Sequence, residues 1–353
     1  METTQNITLK RLLSQVAERE ASNLHLIVGN KPVIRVDDDL ITLDSEDVIT
    51  QDFAVSLIDS ILTEKQKKEF LEKKEIIFVY DFINQSRFRV DITYQRDLYS
   101  FVFHYIPSII KKLPDLGFPK EVEDLTNQKK GLVLIGGQHG SGVSTTLAGF
   151  VESINQRESR HILMLSKPIE YSLVSYQSII EEQEIGKDVS DWSSALDINE
   201  QDIDVVVIDR IESLDVLKKV LELSRGGVLV CAGVRTDSIE NMIQSLVLLA
   251  SPEEREHIAA LLADVLQGAV VQALIPKVGG GRILALEVAF GSPSIQRSIM
   301  EQKFDQISNT IQTSRTEGMI LLDRYLAELV KKGQVDRAIA KEHAVHPDSF
   351  DGI

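Results

Sequence analysis

The sequence has 353 residues, of which 43% are hydrophobic and 26% are charged, and its formal net charge is −16. These values are ordinary for a globular protein, and the length favours two domains because a single hydrophobic core rarely serves so long a chain. The negative charge argues against nucleic-acid binding, since phosphate backbones would repel it. Cys231 is the only cysteine, which excludes a disulfide framework and a cysteine-based zinc site within one chain.

Hydropathy along the chain gives no sign of a membrane span or an export signal. No segment supplies the roughly eighteen uncharged apolar residues that a transmembrane helix needs. Residues 1–13 lack the basic-then-apolar pattern of a signal peptide. We therefore expect a cytoplasmic protein that does not itself span a membrane.

The N-terminal part of the chain mixes helical and strand patterns. Apolar residues fall on one helical face over residues 5–20 and again over residues 52–71. Strand patterns cover residues 24–28, 32–36, 76–80, 87–94 and 100–105. The acids at 37–39 suit a hairpin turn, and the last two strands suit an antiparallel pair. We predict a small α+β domain at residues 1–105.

The composition changes twice after this domain. Residues 106–130 contain three prolines and a glycine, which is typical of a linker. Beyond them strand and helix patterns alternate, with strands expected at residues 132–135, 161–165, 205–208, 228–232 and 283–288. This alternation predicts a mainly parallel sheet with helices on both faces, followed by further helices. The second domain is placed at residues 131–353.

A glycine-rich segment joins the first strand of the second domain to the next helix. It fits the phosphate-loop template G-x-x-x-x-G-K-[ST] at both glycines and at the hydroxyl position, but Val143 stands where the template has lysine. Backbone N–H groups and the helix N-terminus bind phosphate oxygens without that lysine. The candidate nucleotide-binding residues here are Gly137, Gly140, Ser141, Gly142, Ser144 and Thr145.

The valine has a calculable consequence for nucleotide affinity. A charge-assisted contact to the β- and γ-phosphates is worth roughly 1.5–3 kcal/mol, so affinity is expected to fall by at least about tenfold. Ser144 still offers a hydroxyl to Mg²⁺. His139 is a candidate partial substitute for the missing cation. A tight turn that binds nothing is the alternative interpretation of the loop.

The chain resembles the type IV pilus twitching-motility retraction ATPases of the PilT/PilU kind, within the secretion ATPase superfamily. The resemblance covers nearly the whole chain. The matching positions, in the family's order, are residues 21–26, 29, 32, 34–37, 87–90, 106–107, 131–147 apart from Val143, 278–282, 291–293, 318–323 and 333. It implies an α/β fold: a small PAS-like α+β domain, then a RecA-like P-loop domain with C-terminal helices. It also implies a ring of six subunits with nucleotide between them.

The resemblance also indicates that catalytic positions are replaced. Ser166 and Lys167 stand where the family has the glutamate and aspartate of an acidic box, although Glu170 of that box is kept. Arg210 stands at the glutamate that ends the Walker B strand. Asp209, just before it, is the candidate magnesium ligand together with Ser144. A general base alone contributes about a hundred- to ten-thousand-fold in rate.

Histidine and arginine positions of the family are altered as well. Val228 and Arg235 occupy the two positions of the family's histidine box. His104 occupies the place of an N-terminal arginine that reaches a neighbouring subunit's phosphate, and Arg96 is a candidate for a retained one. Lys167, Arg210 and Arg235 are new cations near the expected phosphates. Either they replace the charge missing at Val143, or they form salt bridges with acids of the pocket, which is the favoured interpretation.

These replacements predict a catalytically impaired pseudo-ATPase that acts as a regulatory or structural subunit in pilus-dependent twitching motility. The implied ligands are ATP or ADP and Mg²⁺, bound weakly. The implied partners are copies of itself or an intact family member in a hexameric ring, and the inner-membrane platform protein of the pilus. Two alternatives stay open. One is a slow ATPase that uses Asp209 or Glu170 with a new cation, and the other is a nucleotide-sensing module outside the pilus system.

Overall fold

The computed structural model describes residues 4–37, 39–83, 86–198 and 201–350. The chain divides into two compact units, and the division falls after Ile109. Within the described ranges, no helix combines the length and the apolar character needed to cross a membrane.

The first unit is a six-stranded antiparallel sheet with helices packed on it. Its elements are α1 (Thr4–Glu18), β1 (Asn23–Ile27), β2 (Val33–Val36), β3 (Asp39–Thr42), α2 (Gln51–Ile61), α3 (Glu64–Lys73), β4 (Glu75–Asp81), β5 (Arg87–Gln95) and β6 (Leu98–Ile106). The strand order is β3-β2-β1-β6-β5-β4. The predicted antiparallel pair is confirmed as β5 and β6. Apolar residues of the sheet and helices form one core.

The apolar pattern over residues 52–71 predicts one helix, and this prediction is wrong because the structure has two. Helix α2 ends at Ile61, and Thr63 starts α3 with a capping box. The Thr63 hydroxyl accepts from the Gln66 N–H, and the Gln66 side chain accepts from the Thr63 N–H. This reciprocal pair satisfies two backbone donors and begins a new helix.

The second unit contains a seven-stranded sheet, and helices pack on both of its faces in two separate hydrophobic cores. Its elements are α4 (Lys120–Glu123), β7 (Gly131–Gly137), α5 (Val143–Asn155), β8 (His161–Ser166), β9 (Ile179–Glu184), α6 (Trp192–Ala195), β10 (Val205–Ile208), α7 (Leu214–Gly226), β11 (Leu229–Arg235), α8 (Ile239–Leu248), α9 (Arg255–Val265), β12 (Leu266–Pro276), β13 (Arg282–Phe290), α10 (Pro293–Met300), α11 (Asp305–Thr313), α12 (Leu322–Lys331) and α13 (Arg337–Glu342). The strand order is β13-β12-β7-β11-β10-β8-β9.

The predicted mainly parallel sheet is confirmed, since β13 alone among these strands runs antiparallel to its neighbour. Every residue of β7 and β10 is buried, as expected for strands covered on both faces. Two strands of this second sheet, β9 and β12, are not predicted from the sequence. Strand β9 is a polar edge strand, and β12 begins directly where α9 ends, with no turn residue between them.

Residues 106–130, predicted to be a linker from their composition, do not form an exposed connecting segment. From Ile110 onward this segment belongs to the second unit. Leu113, Phe118 and Leu125 are buried in the core that also holds β7 and α5. The prolines and the glycine shape short helical turns, and the apolar residues between them anchor the segment. The linker prediction is therefore corrected to a folded part of the second unit.

Candidate functional site

The candidate site lies at the carboxyl ends of the central parallel strands. Strands β7 and β11 are neighbours, and Gly137 at the end of β7 pairs with Arg235 at the end of β11. Strand β10, next to β11, ends at Ile208, one residue before Asp209. Open α/β sheets bind ligands outside the carboxyl ends of their strands. The tertiary structure thus places the predicted phosphate loop and three of the predicted replacement positions, Ser166, Arg210 and Arg235, at the carboxyl ends of neighbouring strands.

The phosphate loop has the backbone shape that its glycines predict. Gly137 ends β7 and Val143 is the first residue of α5. Gly140 and Gly142 have φ angles of 82° and 87°, a left-handed region that glycine adopts without strain. Helix α5 has no side-chain cap and no acid in its first turn. Its first N–H groups are therefore available to an anion at the positive end of the helix dipole.

Two side chains that sequence reasoning missed hold this loop. Gln272 of β12 is 3% exposed. Its Nε2 donates to the Ser141 carbonyl at 2.7 Å, and its Oε1 accepts from the Thr146 hydroxyl at 2.8 Å. The Tyr171 hydroxyl lies 2.7 Å from the Thr145 hydroxyl. Burial raises the pKa of Tyr171 to about 12, so its hydroxyl stays protonated at neutral pH. A polar residue within an apolar strand is the signal that could have found Gln272.

The hydrogen bonding of the Ser141 hydroxyl bears on whether the loop fits a phosphate group. Its Oγ is buried and has no hydrogen-bond partner among the described residues. A buried polar atom without a partner costs free energy, so such atoms are uncommon away from functional sites. A Cβ added to Gly137 would lie 2.1 Å from this oxygen, so only glycine fits there. Hydroxyl and N–H donors gathered around a glycine loop fit phosphate oxygens.

The end of β10 carries the predicted magnesium ligand. The Asp209 carboxylate lies 3.4 Å from Nη2 of Arg210, and Nη1 of Arg210 lies 3.7 Å from Glu212. This is the salt bridge with pocket acids that the favoured interpretation expects of Arg210. Because the Arg210 side chain is 52% exposed, the pair contributes little to stability. A carboxylate at Asp209 and a hydroxyl at Ser144 are oxygen donors of the kind that Mg²⁺ binds.

A cavity of about 480 Å³ adjoins the phosphate loop at the end of β11. It is lined by Gln138, His139, Arg235, Thr236, Asp237, Asn241 and Ser245. Arg235 is exposed and has no ion pair with any residue in the described parts of the chain. Asp237 accepts from the Asn241 side-chain amide at 2.7 Å. The salt bridge favoured for Arg235 is therefore absent from the described parts of the chain. Its positively charged side chain lines the cavity beside the phosphate loop.

The remaining predicted site residues lie in different parts of the fold, and the structure does not bring them all to the phosphate loop. Ser166 is the last residue of β8 and is buried, whereas Lys167 is exposed and makes no ion pair within the described ranges. Val228 precedes β11 at the strand's amino end and is not brought to the site. Arg96 and His104 belong to the first unit. Arg96 lies in the turn between β5 and β6, and His104 Nδ1 is 2.7 Å from the Asn23 side-chain oxygen.

Strand β13 carries a buried carboxyl group near the cavity. Glu287 is 3% exposed and accepts the Ile239 N–H at 2.8 Å, at the N-terminus of α8. Burial raises the pKa of Glu287 to about 7 against the opposing effect of that N–H, with help from the carboxylates of Asp323, Glu240 and Asp237. Residues of the loop between β11 and α8 line the cavity, and Glu287 is bonded to the first residue of the helix that follows this loop.

The chain matches the Type II/IV secretion system protein family over residues 114–343. It is 33% identical to the type IV pilus retractation ATPase PilT of Pseudomonas aeruginosa, with 97% of this chain and 99% of the relative covered. The type IV pilus ATPase PilU of the same organism is 25% identical, with 95% and 88% covered. A crystal structure of the pilus retraction motor PilT with bound ADP superposes with a TM-score of 0.83 at 28% identity, covering 98% of this chain and 99% of that one.

The chain therefore belongs to the Type II/IV secretion system protein family. Within it, the chain is a PilT/PilU-like type IV pilus ATPase homologue, as the motifs predict. The predicted α/β fold is confirmed, with an N-terminal domain followed by a RecA-like ATPase domain.

Proposed function

We propose that this protein is a nucleotide-binding pseudo-ATPase, and that it serves as a regulatory or structural subunit of a type IV pilus retraction machine. One observation carries the proposal. The phosphate loop keeps its glycine geometry and uncapped helix N-terminus, while an apolar side chain, Val143, occupies the first helical position. Such a loop retains the backbone donors for phosphate and lacks the lysine cation.

Loss of turnover follows from the groups at the strand ends. Ser166 and Arg210 stand at the two family glutamate positions, and neither side chain can accept a proton from water at neutral pH. Arg210 also places a cation beside Asp209. General-base catalysis contributes about a hundred- to ten-thousand-fold, and electrostatic clamping of the transferring phosphate adds to it. Magnesium, where bound, would be held by Ser144 and Asp209 and would neutralise phosphate charge.

The assembly and location proposed here follow the family. The alignment with PilT covers 97% of this chain and 99% of that relative, which supports a six-subunit ring made of this chain alone or shared with an intact relative. We place that ring in the cytoplasm, attached to the inner membrane through the pilus platform protein. The antiparallel sheet of the first unit supports a PAS-like domain.

A slow ATPase is the second candidate, and the cavity beside the loop favours it. Arg235, unpaired within the described ranges, could supply positive charge to a terminal phosphate. Asp209 or Glu170 would then have to orient the attacking water. A nucleotide-sensing module outside the pilus system is the third candidate, because a fold does not fix a function.

The proposal is tested by measuring ATP binding and turnover on one purified sample with magnesium present, by calorimetry and by phosphate release. We expect binding without turnover. Turnover that Asp209→Ala abolishes would contradict the pseudo-ATPase and establish the slow enzyme. Absence of both binding and turnover would contradict the nucleotide role and leave an architectural subunit.

We expect Arg235 to make the protein bind ATP more tightly than ADP. Replacing it with alanine should weaken ATP binding by at least about tenfold, the value of a charge-assisted contact, and should change ADP binding less. Arg235→Lys should keep part of the preference because it keeps the charge. Arg225→Ala, at an exposed arginine in the last turn of α7 near the opposite, amino end of β11, is the matched control. An equal loss for ATP and ADP would show that Arg235 does not reach the terminal phosphate.

A further inference from the structure

Gln272 lies where β12 passes the phosphate loop. In the sheet register it pairs with Gly137, the residue at which β7 becomes the loop. Its side chain is buried, and both polar atoms of its amide are used. The donor end binds the Ser141 carbonyl, and the acceptor end binds the Thr146 hydroxyl. One rigid amide therefore contacts both sides of the turn at which the loop becomes helix α5.

The contacts of Gln272 surround the residues that aim backbone donors at an anion. Ser141 and Thr146 flank Gly142 and Val143 in the sequence. A Cβ added to Gly142 would lie 3.3 Å from Nε2 of Gln272, so the amide packs directly on this glycine. A loop with lysine can hold a phosphate by charge, but this loop depends on the direction of its N–H groups. Whatever holds that direction therefore has more effect on affinity here.

We propose that Gln272 is a positioning residue that holds the phosphate loop in its anion-binding shape before nucleotide arrives. The inference rests on the nucleotide binding proposed above. A loop that is already ordered loses less conformational entropy when nucleotide binds, and the binding free energy is therefore more favourable. Gln272 reaches the nucleotide only through the loop and is not a catalytic residue. Its position on β12 also makes the loop's shape depend on a strand that follows it by more than a hundred residues.

The test replaces Gln272 with leucine, which has similar volume and no hydrogen bonds. ADP affinity measured by calorimetry is expected to fall about fivefold to a hundredfold, the range that two lost hydrogen bonds give. In nucleotide-free protein, hydrogen exchange of the amides at residues 142–146 should accelerate by a similar factor. Thr146→Val should give a smaller change, and adding it to Gln272→Leu should cost nothing further, because the shared contact is already lost.

Gln267→Leu is the matched control, since Gln267 lies on the same strand near Gly131, at the far end of β7. It should leave affinity and loop exchange unchanged. If Gln272→Leu lowers the melting temperature but changes neither quantity, Gln272 is a core residue and the inference is wrong. If the unaltered protein binds no ADP, the proposed nucleotide binding is wrong. The hydrogen-exchange measurement on nucleotide-free protein then still shows whether Gln272 orders the loop. Thr146→Val tests the same contact should Gln272→Leu fail to fold.

Discussion

Restoring three side chains is expected to raise the ATP hydrolysis rate by about a hundred- to ten-thousand-fold. The variant combines Val143→Lys, Ser166→Glu and Arg210→Glu. The lysine returns a cation to the β- and γ-phosphates, and the glutamates return a base for water and an acid beside the metal. Phosphate release at saturating ATP and magnesium measures the gain against the unaltered protein.

The burial of each position indicates how well it can accommodate the restored side chain. Arg210 is half exposed after β10, so it accepts an acidic side chain. Val143, the first residue of α5, is partly buried against the core, so a lysine there must direct its longer side chain away from that contact. Ser166 is 6% exposed at the end of β8, so a glutamate there must displace neighbours. The melting temperature of each single variant therefore has to be measured alongside activity.

The single variant Val143→Lys is the control that separates binding from chemistry. It should tighten ATP binding by at least about tenfold without turnover, since it adds one charged contact and no base. A triple variant that folds and binds ATP yet stays inert would show that this chain departs from an active ATPase at more than these three positions.

Between pH 5 and pH 8 the protein is expected to lose up to about 3 kcal/mol of unfolding free energy through Glu287. Burial, opposed by the Ile239 N–H and assisted by nearby carboxylates, raises the pKa of this group from 4.5 to about 7 in the folded state. The folded chain therefore keeps the proton over a range in which the unfolded chain releases it. The stabilisation is fully present below pH 4.5 and is lost as the pH rises through 7.

Glu287→Gln is expected to remove this pH dependence and to raise stability at pH 8. Its amide oxygen can still accept the Ile239 N–H, and no buried charge forms. Denaturant unfolding at several pH values provides the measurement. Glu253→Gln, at an exposed position before α9, is the control and should leave the slope unchanged. A slope that persists in Glu287→Gln would assign the titration to another group.

Local patterns in the sequence predict the phosphate loop and the strands around it. Gly140 and Gly142 adopt positive φ angles that glycine alone accepts easily, so their spacing is informative without any tertiary contact. The apolar runs of β7 and β10 likewise require burial on both faces. Local composition misleads at residues 106–130, because prolines mark turns in a folded segment as well as in a linker.

The sequence by itself thus determined the family, the alternating architecture and the loop that would bind phosphate, since each depends on spacing between near neighbours. Only the tertiary structure decided which distant side chains serve that loop. Gln272 bonds to Thr146 across 126 residues, and Glu287 reaches Ile239 across 48. The pairing of β11 with β7 likewise set Arg235 opposite Gly137 at the start of the loop. Such contacts depend on which strands become neighbours in the sheet, and no local pattern carries that information.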